Sequence, residues 1–205
     1  MEELTAVITC AGGGYALGSV SFSLVLARSQ GVDLRKVGSG NLGATNLGRA
    51  LGRRYAVAAY LLDMLKGCAP ALLALLLWPV SEAAAVAAGA GAIFGHVWPL
   101  WHGFRGGKGV ATLSGAMLAL LPLGTLTAGL AWLFTVRFTR WVSLGSIAFG
   151  LALPLAAWAW NRSALVIAFA AAGGVFLIFT HRSNLMRILR GEEHRVGKKP
   201  SGDES

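Results

Sequence analysis

Long apolar stretches alternate with short polar segments along most of this chain. The apolar stretches cover residues 4–27, 55–78, 83–94, 110–136, 142–160 and 163–180. A helix needs about 20 apolar residues to cross a bilayer core, so the pattern predicts a bundle of transmembrane helices. Residues 4–27 carry no charge, and we expect one continuous spanning helix there. Gly14 and Gly18 are spaced for close packing against a neighbouring helix.

The stretch 110–136 decides the predicted topology. Arg137 and Arg140 follow this stretch. Basic residues favour the cytoplasmic side of the membrane, which is also the side predicted for the polar segment 95–109 before the stretch. Pro122 and Gly124 lie near its middle, where a turn is expected. We therefore predict two short helices, 110–121 and 123–136, that form a hairpin within the membrane. The alternative is one long tilted helix, which would place the C-terminus outside.

Composition supports the same class of protein. Hydrophobic residues make up 55% of the chain and charged residues 13%, against about 25% charged in soluble domains. The mean hydropathy is +0.62. The net charge is +9, and the positive-inside rule accounts for most of it. Because the charge lies in short loops, nucleic-acid binding is not expected.

These observations predict an all-α integral membrane protein with a compact bundle of about seven transmembrane helices. Some of the helices are short or half-spanning, the N-terminus lies outside and the C-terminus inside. Residues 1–193 form one membrane-embedded domain, and residues 194–205 form a polar cytoplasmic tail. Four polar segments are expected on the cytoplasmic face: 28–54, 95–109, 137–146 and 181–199.

Two glycine-rich loops carry the candidate chemistry. Residues 38–43 match G-x-G-x-x-G, but no strand precedes them, so a dinucleotide site is excluded. Glycines with Ser39, Thr45 and Asn46 can still present donors to an anion, at the start of the next helix. The alternative is an ordinary flexible loop. Arg49, one turn beyond, favours the anion site.

The second loop, Gly106-Gly107-Lys108-Gly109, only partly resembles a phosphate-binding loop. His102 stands where the Walker pattern needs glycine, and Gly109 where it needs Ser or Thr. The alternative is a basic loop that contacts lipid head groups, which leaves the glycines unexplained. No carboxylate pair or histidine spacing indicates a metal site, and no cofactor is expected.

Asp63 and Lys66 lie three residues apart in an apolar stretch and can pair. An ionisable residue inside a span indicates a functional site, and we assign Asp63 a structural role and Lys66 a substrate contact. Among the histidines, His181 is the stronger site candidate and His96 is typical of a helix end. Asp63 is the only buried acid that the pattern predicts, so a serine–histidine–acid triad is unsupported.

Several motifs in order resemble one known family, the bacterial acyl-phosphate:glycerol-3-phosphate acyltransferases (PlsY family). The motifs are Ser39–Asn46 with Arg49, Asp63 with Lys66-Gly67 and Pro70, Gly95-His96 with Pro99, Phe104–Thr112, Val142–Ser146, and His181–Asn184 with Arg187 and Gly191. The resemblance covers about residues 12–193. It implies a seven-helix inner-membrane enzyme that moves a fatty acyl group from acyl phosphate to the 1-hydroxyl of glycerol 3-phosphate. The products are lysophosphatidate and phosphate.

The resemblance also implies roles for individual residues. The expected catalytic residues are Ser39, Arg49, Lys108, His181 and Asn184. The expected substrate-binding residues are Gly40, Asn41, Gly43, Thr45, Asn46, Lys66, His96, Gly106, Gly107, Gly109, Thr112, Ser143 and Ser146. The proton acceptor is either the substrate phosphate or His181. The expected partners are the two substrates, membrane lipids and the enzyme that makes acyl phosphate.

Two other functions fit part of the pattern. A small transporter for a phosphorylated solute would explain Lys66 and the broken helices, but it predicts inverted repeats and polar groups at mid-membrane. A lipid-binding protein without activity would leave the glycine loops unexplained.

Overall fold

The computed structural model describes residues 1–197, and all regular structure in that part of the chain is helical. The helices are α1 (Glu2–Gly18), α2 (Phe22–Ser29), α3 (Ala44–Leu51), α4 (Arg53–Leu77), α5 (Glu82–Val97), a 3₁₀ turn (Leu100–His102), α6 (Val110–Leu120), α7 (Pro122–Thr139), α8 (Val142–Ala159), α9 (Ala164–Thr180) and α10 (Arg182–Leu189). By length and composition, four helical segments can cross a membrane, or five if the bent pair α9–α10 counts as one span. The predicted all-α membrane architecture is confirmed.

The first spanning segment is not the continuous helix that the sequence predicts. It breaks between Gly18 and Phe22, and α2 continues beyond the break. Inside the break, the Val20 carbonyl accepts a hydrogen bond from Lys66 Nζ at 2.6 Å. Ser19 Oγ donates back to the Tyr15 carbonyl at 2.8 Å, a bond that competes with regular helix geometry. A charged group buried in a neighbouring helix thus stabilises the interruption.

The predicted close packing of the first helix is confirmed, with α5 as its partner. A Cβ built on Gly14 would lie 2.1 Å from the Ala88 carbonyl oxygen, and one on Gly18 would lie 2.2 Å from that of Ala92. Gly91 of α5 approaches α1 equally closely. Small residues on both surfaces let the two backbones touch, which is how membrane helices gain packing without a hydrophobic driving force.

The stretch 110–136 folds as two helices, as predicted, and the turn lies at Leu121–Pro122. Lys108-Gly109 before α6 and Val142-Ser143 after α7 line the same cavity, so the chain leaves this region and returns to it. Proline at the first position of α7 fits a helix start because its missing N–H has no intrahelical acceptor there. The hairpin therefore places the polar segments 95–109 and 137–146 at the same cavity.

Two short helices lie in segments for which the sequence analysis predicts only polar loops. α3 occupies the loop before α4, and α10 follows α9 at a bend of 54°. Beyond α10, Val196 N–H donates to the Arg140 carbonyl at 2.9 Å. The N-out, C-in orientation and the domain boundary at residue 193 stay predictions. Residues 198–205 of the predicted tail lie outside the described residues.

Candidate active site

The starts of several helices meet at one polar cavity of about 150 Å³. Gly43–Thr45 at the start of α3, Gly109–Ala111 at the start of α6, Val142-Ser143 at the start of α8 and His181 just before α10 all line it. The first N–H groups of a helix have no intrahelical acceptor and carry a partial positive charge. Several helix starts around one cavity therefore make a site for anions.

Two cations line the same cavity. Burial, and then the neighbouring charges of Arg187 and Arg49, lower the pKa of Lys108 to about 8, while the opposite charge of Glu193 raises it in part. Burial also lowers the pKa of Arg49, although arginine stays charged at any physiological pH. Lys108 Nζ donates to Asn184 Oδ1. Both cations favour a ligand that brings negative charge.

Asn46 holds the first glycine loop in shape. Its side chain is 1% exposed. Oδ1 accepts from Ser39 N–H at 2.9 Å, and Nδ2 donates to the Leu34 and Val37 carbonyls at 3.2 and 2.9 Å. Gly38 has a positive φ of 58°, which allows the turn that brings Ser39 to Asn46.

His181 faces the cavity as a neutral imidazole. Its Nδ1 donates to the Leu177 carbonyl at 2.8 Å, since a carbonyl can only accept, and this leaves Nε2 as the acceptor nitrogen. Burial, and then the charge of Lys108, lower the pKa of His181 to about 4. A neutral ring with a free Nε2 can accept a hydrogen bond from a substrate hydroxyl.

Glu193 is a second buried acid, and the prediction that Asp63 is the only one is wrong. Glu193 is 8% exposed. Its carboxylate accepts from Ser143 Oγ at 2.8 Å, Asn184 Nδ2 at 2.6 Å and Arg187 Nε at 2.8 Å. Burial alone would raise the pKa of Glu193, but these hydrogen bonds outweigh it and lower the pKa. The carboxylate fixes Asn184, the residue that contacts Lys108.

The structure gathers most of the predicted site residues at this cavity. Those that line it are Ser39, Asn41, Gly43, Thr45, Asn46, Arg49, His96, Lys108, Gly109, Ser143, Ser146, His181 and Asn184. They come from all four polar segments that the sequence analysis places on one face. Five predicted residues do not line the cavity: Gly40, Lys66, Gly106, Gly107 and Thr112.

Lys66 does not reach the cavity because other buried groups hold its ammonium. Nζ lies 2.8 Å from Asp63 Oδ1, so the predicted ion pair is present, and Nζ also donates to the Val20 carbonyl. In the structure Lys66 links α4 to the break after α1, and its contact with substrate stays a prediction. Thr112 is fully buried in the first turn of α6, and Gly40 has a positive φ of 68° in the loop before α3.

The amides of Gly106 and Gly107 are not available to cradle a phosphate. Gly106 N–H donates to the Val97 carbonyl at 3.0 Å, and Gly107 N–H donates to the His96 carbonyl at 3.1 Å. These carbonyls end α5 and need donors. The glycines instead allow the loop to lie against α5, since a Cβ on Gly106 would lie 2.0 Å from the His96 carbonyl oxygen.

An apolar cavity of about 560 Å³ adjoins the polar one. Tyr60, Val110 and Trp132 line both cavities and mark the boundary between them. From this boundary the apolar cavity extends between α6 and α7, past Gly129 and Leu118, toward the hairpin turn. A ligand that occupies both cavities has a charged head and a long apolar tail.

Sequence reasoning missed Glu193, Tyr60 and Trp132. Glu193 lies in a charged segment whose composition is typical of a solvated tail. One sequence feature, Gly191, does indicate that the chain turns back before Glu193. Gly191 has a positive φ of 73° just after α10, and a glycine at that position commonly reverses the chain. Tyr60 and Trp132 lie in apolar helices, where the pattern does not distinguish a cavity wall from a lipid-facing surface.

Comparison with known proteins gives a consistent result. The family described as glycerol-3-phosphate acyltransferase matches residues 8–191. Among curated relatives, a glycerol-3-phosphate acyltransferase of Brucella suis is 43% identical over 187 residues, 91% of each chain. One of Aquifex aeolicus is 42% identical over 181 residues, 88% of this chain and 94% of its own.

Two solved structures resemble the whole chain. Both are crystal structures of PlsY, an integral membrane glycerol 3-phosphate acyltransferase. The glycerol 3-phosphate form aligns with a TM-score of 0.88 at 41% identity, and the lysophosphatidic acid form with 0.86 at 39%. Each alignment covers 96% of both chains.

Proposed function

The chain belongs to the glycerol-3-phosphate acyltransferase family and is a multi-pass membrane enzyme of that class, and from this premise we propose that its acyl donor is an acyl phosphate. The observation that carries the proposal is the convergence of four helix starts with Arg49 and Lys108 on one cavity. Such a cavity suits phosphate groups, and both proposed substrates carry one.

Two different sets of groups bind the two phosphates. Arg49, Lys108 and Asn184 hold the phosphate of glycerol 3-phosphate, together with Ser39 and Ser146, and His181 contacts its hydroxyl. The start of α3 at Gly43 and Thr45 and the start of α6 at Gly109 receive the phosphate of the donor. Gly106 and Gly107 act indirectly, through the position of Lys108, because their N–H groups are already used.

The acyl chain occupies the apolar cavity between α6 and α7. The reacting carbonyl then lies at the boundary formed by Tyr60, Val110 and Trp132, with phosphate on one side and hydrocarbon on the other. This arrangement holds the carbonyl carbon next to the bound glycerol 3-phosphate. Positioning of this kind supplies much of the rate when the donor is already an activated anhydride.

The transfer itself needs one bond made and one broken. The 1-hydroxyl oxygen of glycerol 3-phosphate attacks the acyl carbon, and the bond from that carbon to the phosphate oxygen breaks. Helix starts and Lys108 stabilise the charge that develops on the departing phosphate. The products are lysophosphatidate and inorganic phosphate.

The proton of the attacking hydroxyl goes to a substrate phosphate rather than to His181. A phosphate monoester has its second pKa near 6, whereas the pKa of His181 is lowered to about 4. The phosphate is therefore the better placed base of the two. His181 Nε2 accepts a hydrogen bond from the hydroxyl and orients it.

The reaction takes place at the cytoplasmic side of the bacterial inner membrane. The basic residues of the segments that form the cavity favour this side. Acyl phosphate is made in the cytoplasm according to this proposal, and the enzyme that makes it is the expected upstream partner.

A donor comparison tests the proposal. Purified protein in detergent is given glycerol 3-phosphate with acyl phosphate, acyl-CoA or acyl carrier protein, and lysophosphatidate and phosphate are measured. Of the three donors, only acyl phosphate is expected to support turnover. Lys108→Ala should lower kcat/KM by about a hundredfold, as removal of one transition-state donor commonly does.

Lys36→Ala is the matched control. Lys36 is an exposed lysine of the polar segment 28–54 and pairs with Asp33 at 3.6 Å, outside the cavity. Its removal should leave turnover unchanged. Equal activity with acyl-CoA would contradict the donor assignment, and near-normal turnover of Lys108→Ala would contradict the assigned cation.

A further inference from the structure

A buried chain of polar groups starts at the cavity wall, which Asp63 and His96 line, and the proposed chemistry does not use this chain. Lys66 Nζ lies 2.8 Å from Asp63 Oδ1, and the same oxygen lies 3.7 Å from His96 Nδ1. Asp63 is 1% exposed, Lys66 2% and His96 7%. At its far end, Lys66 donates to the Val20 carbonyl. These polar groups therefore connect the break after α1 with the end of α5.

The ion pair of Asp63 and Lys66 is electrostatically complete without a histidine. A buried carboxylate needs a compensating charge, and Lys66 supplies it. The imidazole of His96 nevertheless faces the same carboxylate oxygen from another helix. Burial of one more polar ring is costly unless the ring has a task. The contact on the other side of the His96 ring indicates its role.

The other face of the His96 ring packs against the loop Gly106–Lys108. A Cβ built on Gly107 would lie 2.1 Å from His96 Nε2, so only glycine lets the backbone approach the ring this closely. The Gly107 N–H also donates to the His96 carbonyl at 3.1 Å. The position of the ring therefore determines the position of the loop backbone.

Lys108 follows directly and carries the effect to the cavity. Its carbonyl accepts from Thr180 Oγ1 at 3.0 Å, and its ammonium donates to Asn184. The lysine is thus held between Gly107 on one side and the end of α9 on the other. A shift of the His96 ring moves the loop and, with it, the ammonium.

We propose that Asp63 and His96 are positioning residues: Asp63 orients the His96 ring, the ring fixes the glycine loop, and the loop places the Lys108 ammonium in the phosphate site. Lys66 anchors Asp63 to the break after α1. The inference rests on the proposed function, because the group that is positioned is the cation of that function. It gives His96 and Lys66 an indirect role at positions for which the sequence analysis expects substrate contacts.

A double-mutant cycle separates positioning from direct contact. Asp63→Asn removes the charge without changing shape, and His96→Asn keeps a donor near the Nδ1 position but removes the edge of the ring that packs on Gly107. Each variant should lower kcat/KM by about tenfold, and the double variant should lose little more, because residues that act as one unit are not additive. Additive losses would contradict the proposal.

The pH dependence of kcat/KM gives a second readout. The charged and titratable groups around Lys108 are Arg49, Arg187, Glu193 and His181. Burial lowers the pKa of Lys108 to about 8. A loop displaced toward water relieves that burial, so His96→Asn should move the alkaline decline of activity to higher pH. An unmoved decline would argue against displacement of Lys108.

Leu153→Ala is the control for stability alone. Leu153 is fully buried in the apolar core of α8, and its truncation should lower the unfolding temperature without moving the alkaline decline. If His96→Asn does not fold, His96→Gln takes its place.

A binding measurement is independent of catalysis. Calorimetric titration with inorganic phosphate should show about tenfold weaker binding in Asp63→Asn and in His96→Asn than in the unaltered protein. Absence of turnover in the unaltered protein would overturn the proposed function. Normal phosphate affinity in both variants would overturn this inference, whether or not the protein turns over.

Discussion

Individual side chains in the cavity are tuned mainly by burial. Lys108 has a pKa near 8 and His181 a pKa near 4, in both cases chiefly because burial disfavours the charged form. At neutral pH the lysine is still mostly protonated and the histidine is neutral. The site therefore offers a cation to phosphate and an uncharged acceptor to a hydroxyl.

The lowered pKa of Lys108 predicts an alkaline limit to activity. Lysine is charged below its pKa, so kcat/KM should fall as the pH rises through about 8. The substrate phosphates titrate near pH 6 and do not contribute in this window. Lys108→Arg should move the decline to higher pH, since a guanidinium keeps its charge above pH 12.

Measurement of kcat/KM against pH for the unaltered protein and for Lys108→Arg checks this prediction. A profile that stays flat from neutral pH to well above pH 8 would contradict the assigned role of Lys108. So would an identical decline in Lys108→Arg.

At the residue scale, the sequence predicts which groups gather but not how each is used. Glycine loops followed by Arg49 and Lys108 indicate an anion site, and these residues do line one cavity. The role of Lys66 was not predictable, because its acceptor is the carbonyl of Val20 in a break that the apolar pattern hides. Glu193 was hidden for a similar reason: burial of a charged residue depends on tertiary contacts.

At the element scale, close helix packing and one interrupted helix shape the bundle. The apolar stretches correctly predict where the long helices lie and the turn at Leu121–Pro122, whereas within residues 1–197 four or five of these helical segments, not about seven, are long and apolar enough to span. It does not predict the break after Gly18, which depends on Lys66, or α3 and α10, which are short and depend on contacts with the bundle. Local pattern therefore determines the long helices, and tertiary contacts determine the short ones.

The contact between α1 and α5 predicts an asymmetric response to added methyl groups. Gly14→Ala places a Cβ against the Ala88 carbonyl and should destabilise the protein by roughly 1–3 kcal/mol, as overpacking does. Gly13→Ala is the matched control, because no atom lies within 4 Å of its Cβ. That variant should be neutral or slightly stabilising, since alanine is the better helix former.

Thermal unfolding in detergent compares the two variants. The midpoint for Gly14→Ala should lie clearly below that for Gly13→Ala. Equal midpoints would mean that α1 and α5 do not pack as closely in the membrane protein as the structure indicates.

The apolar cavity predicts a variant that affects only one substrate. Gly129 lines this cavity, and the space around its Cβ is open. Gly129→Phe should fill the cavity and raise KM for a long-chain acyl phosphate by roughly tenfold, the loss expected for about two buried methylenes. KM for glycerol 3-phosphate should not change.

Leu130→Phe serves as the control, because Leu130 is the next residue and is 63% exposed. Kinetics with acyl phosphates of short and long chains provide the measurement. If Gly129→Phe affects both chain lengths and both substrates alike, the acyl chain does not occupy this cavity.

At the scale of the whole molecule, the fold brings four separated polar segments to one cavity. α3, α6 and α8 begin there and α5 and α9 end there, while α4 lines the cavity from its interior with Tyr60 and Asp63, so the helices act as a scaffold for polar groups. The charge pattern predicts that this face is cytoplasmic. The hairpin is essential to that topology, because it returns the chain to the face it left.

The central claim is that Arg49 and Lys108, from distant parts of the chain, grip one phosphate in this cavity. The most direct test is the dissociation constant of glycerol 3-phosphate, measured by calorimetry for the unaltered protein, Arg49→Ala and Lys108→Ala, with the exposed Arg54→Ala as the charge control. Each cavity variant should bind at least about tenfold more weakly, because a hydrogen bond to a charged group contributes roughly 1.5–3 kcal/mol. Arg54→Ala should bind normally. Affinities within about twofold of the unaltered protein for both cavity variants would contradict the account.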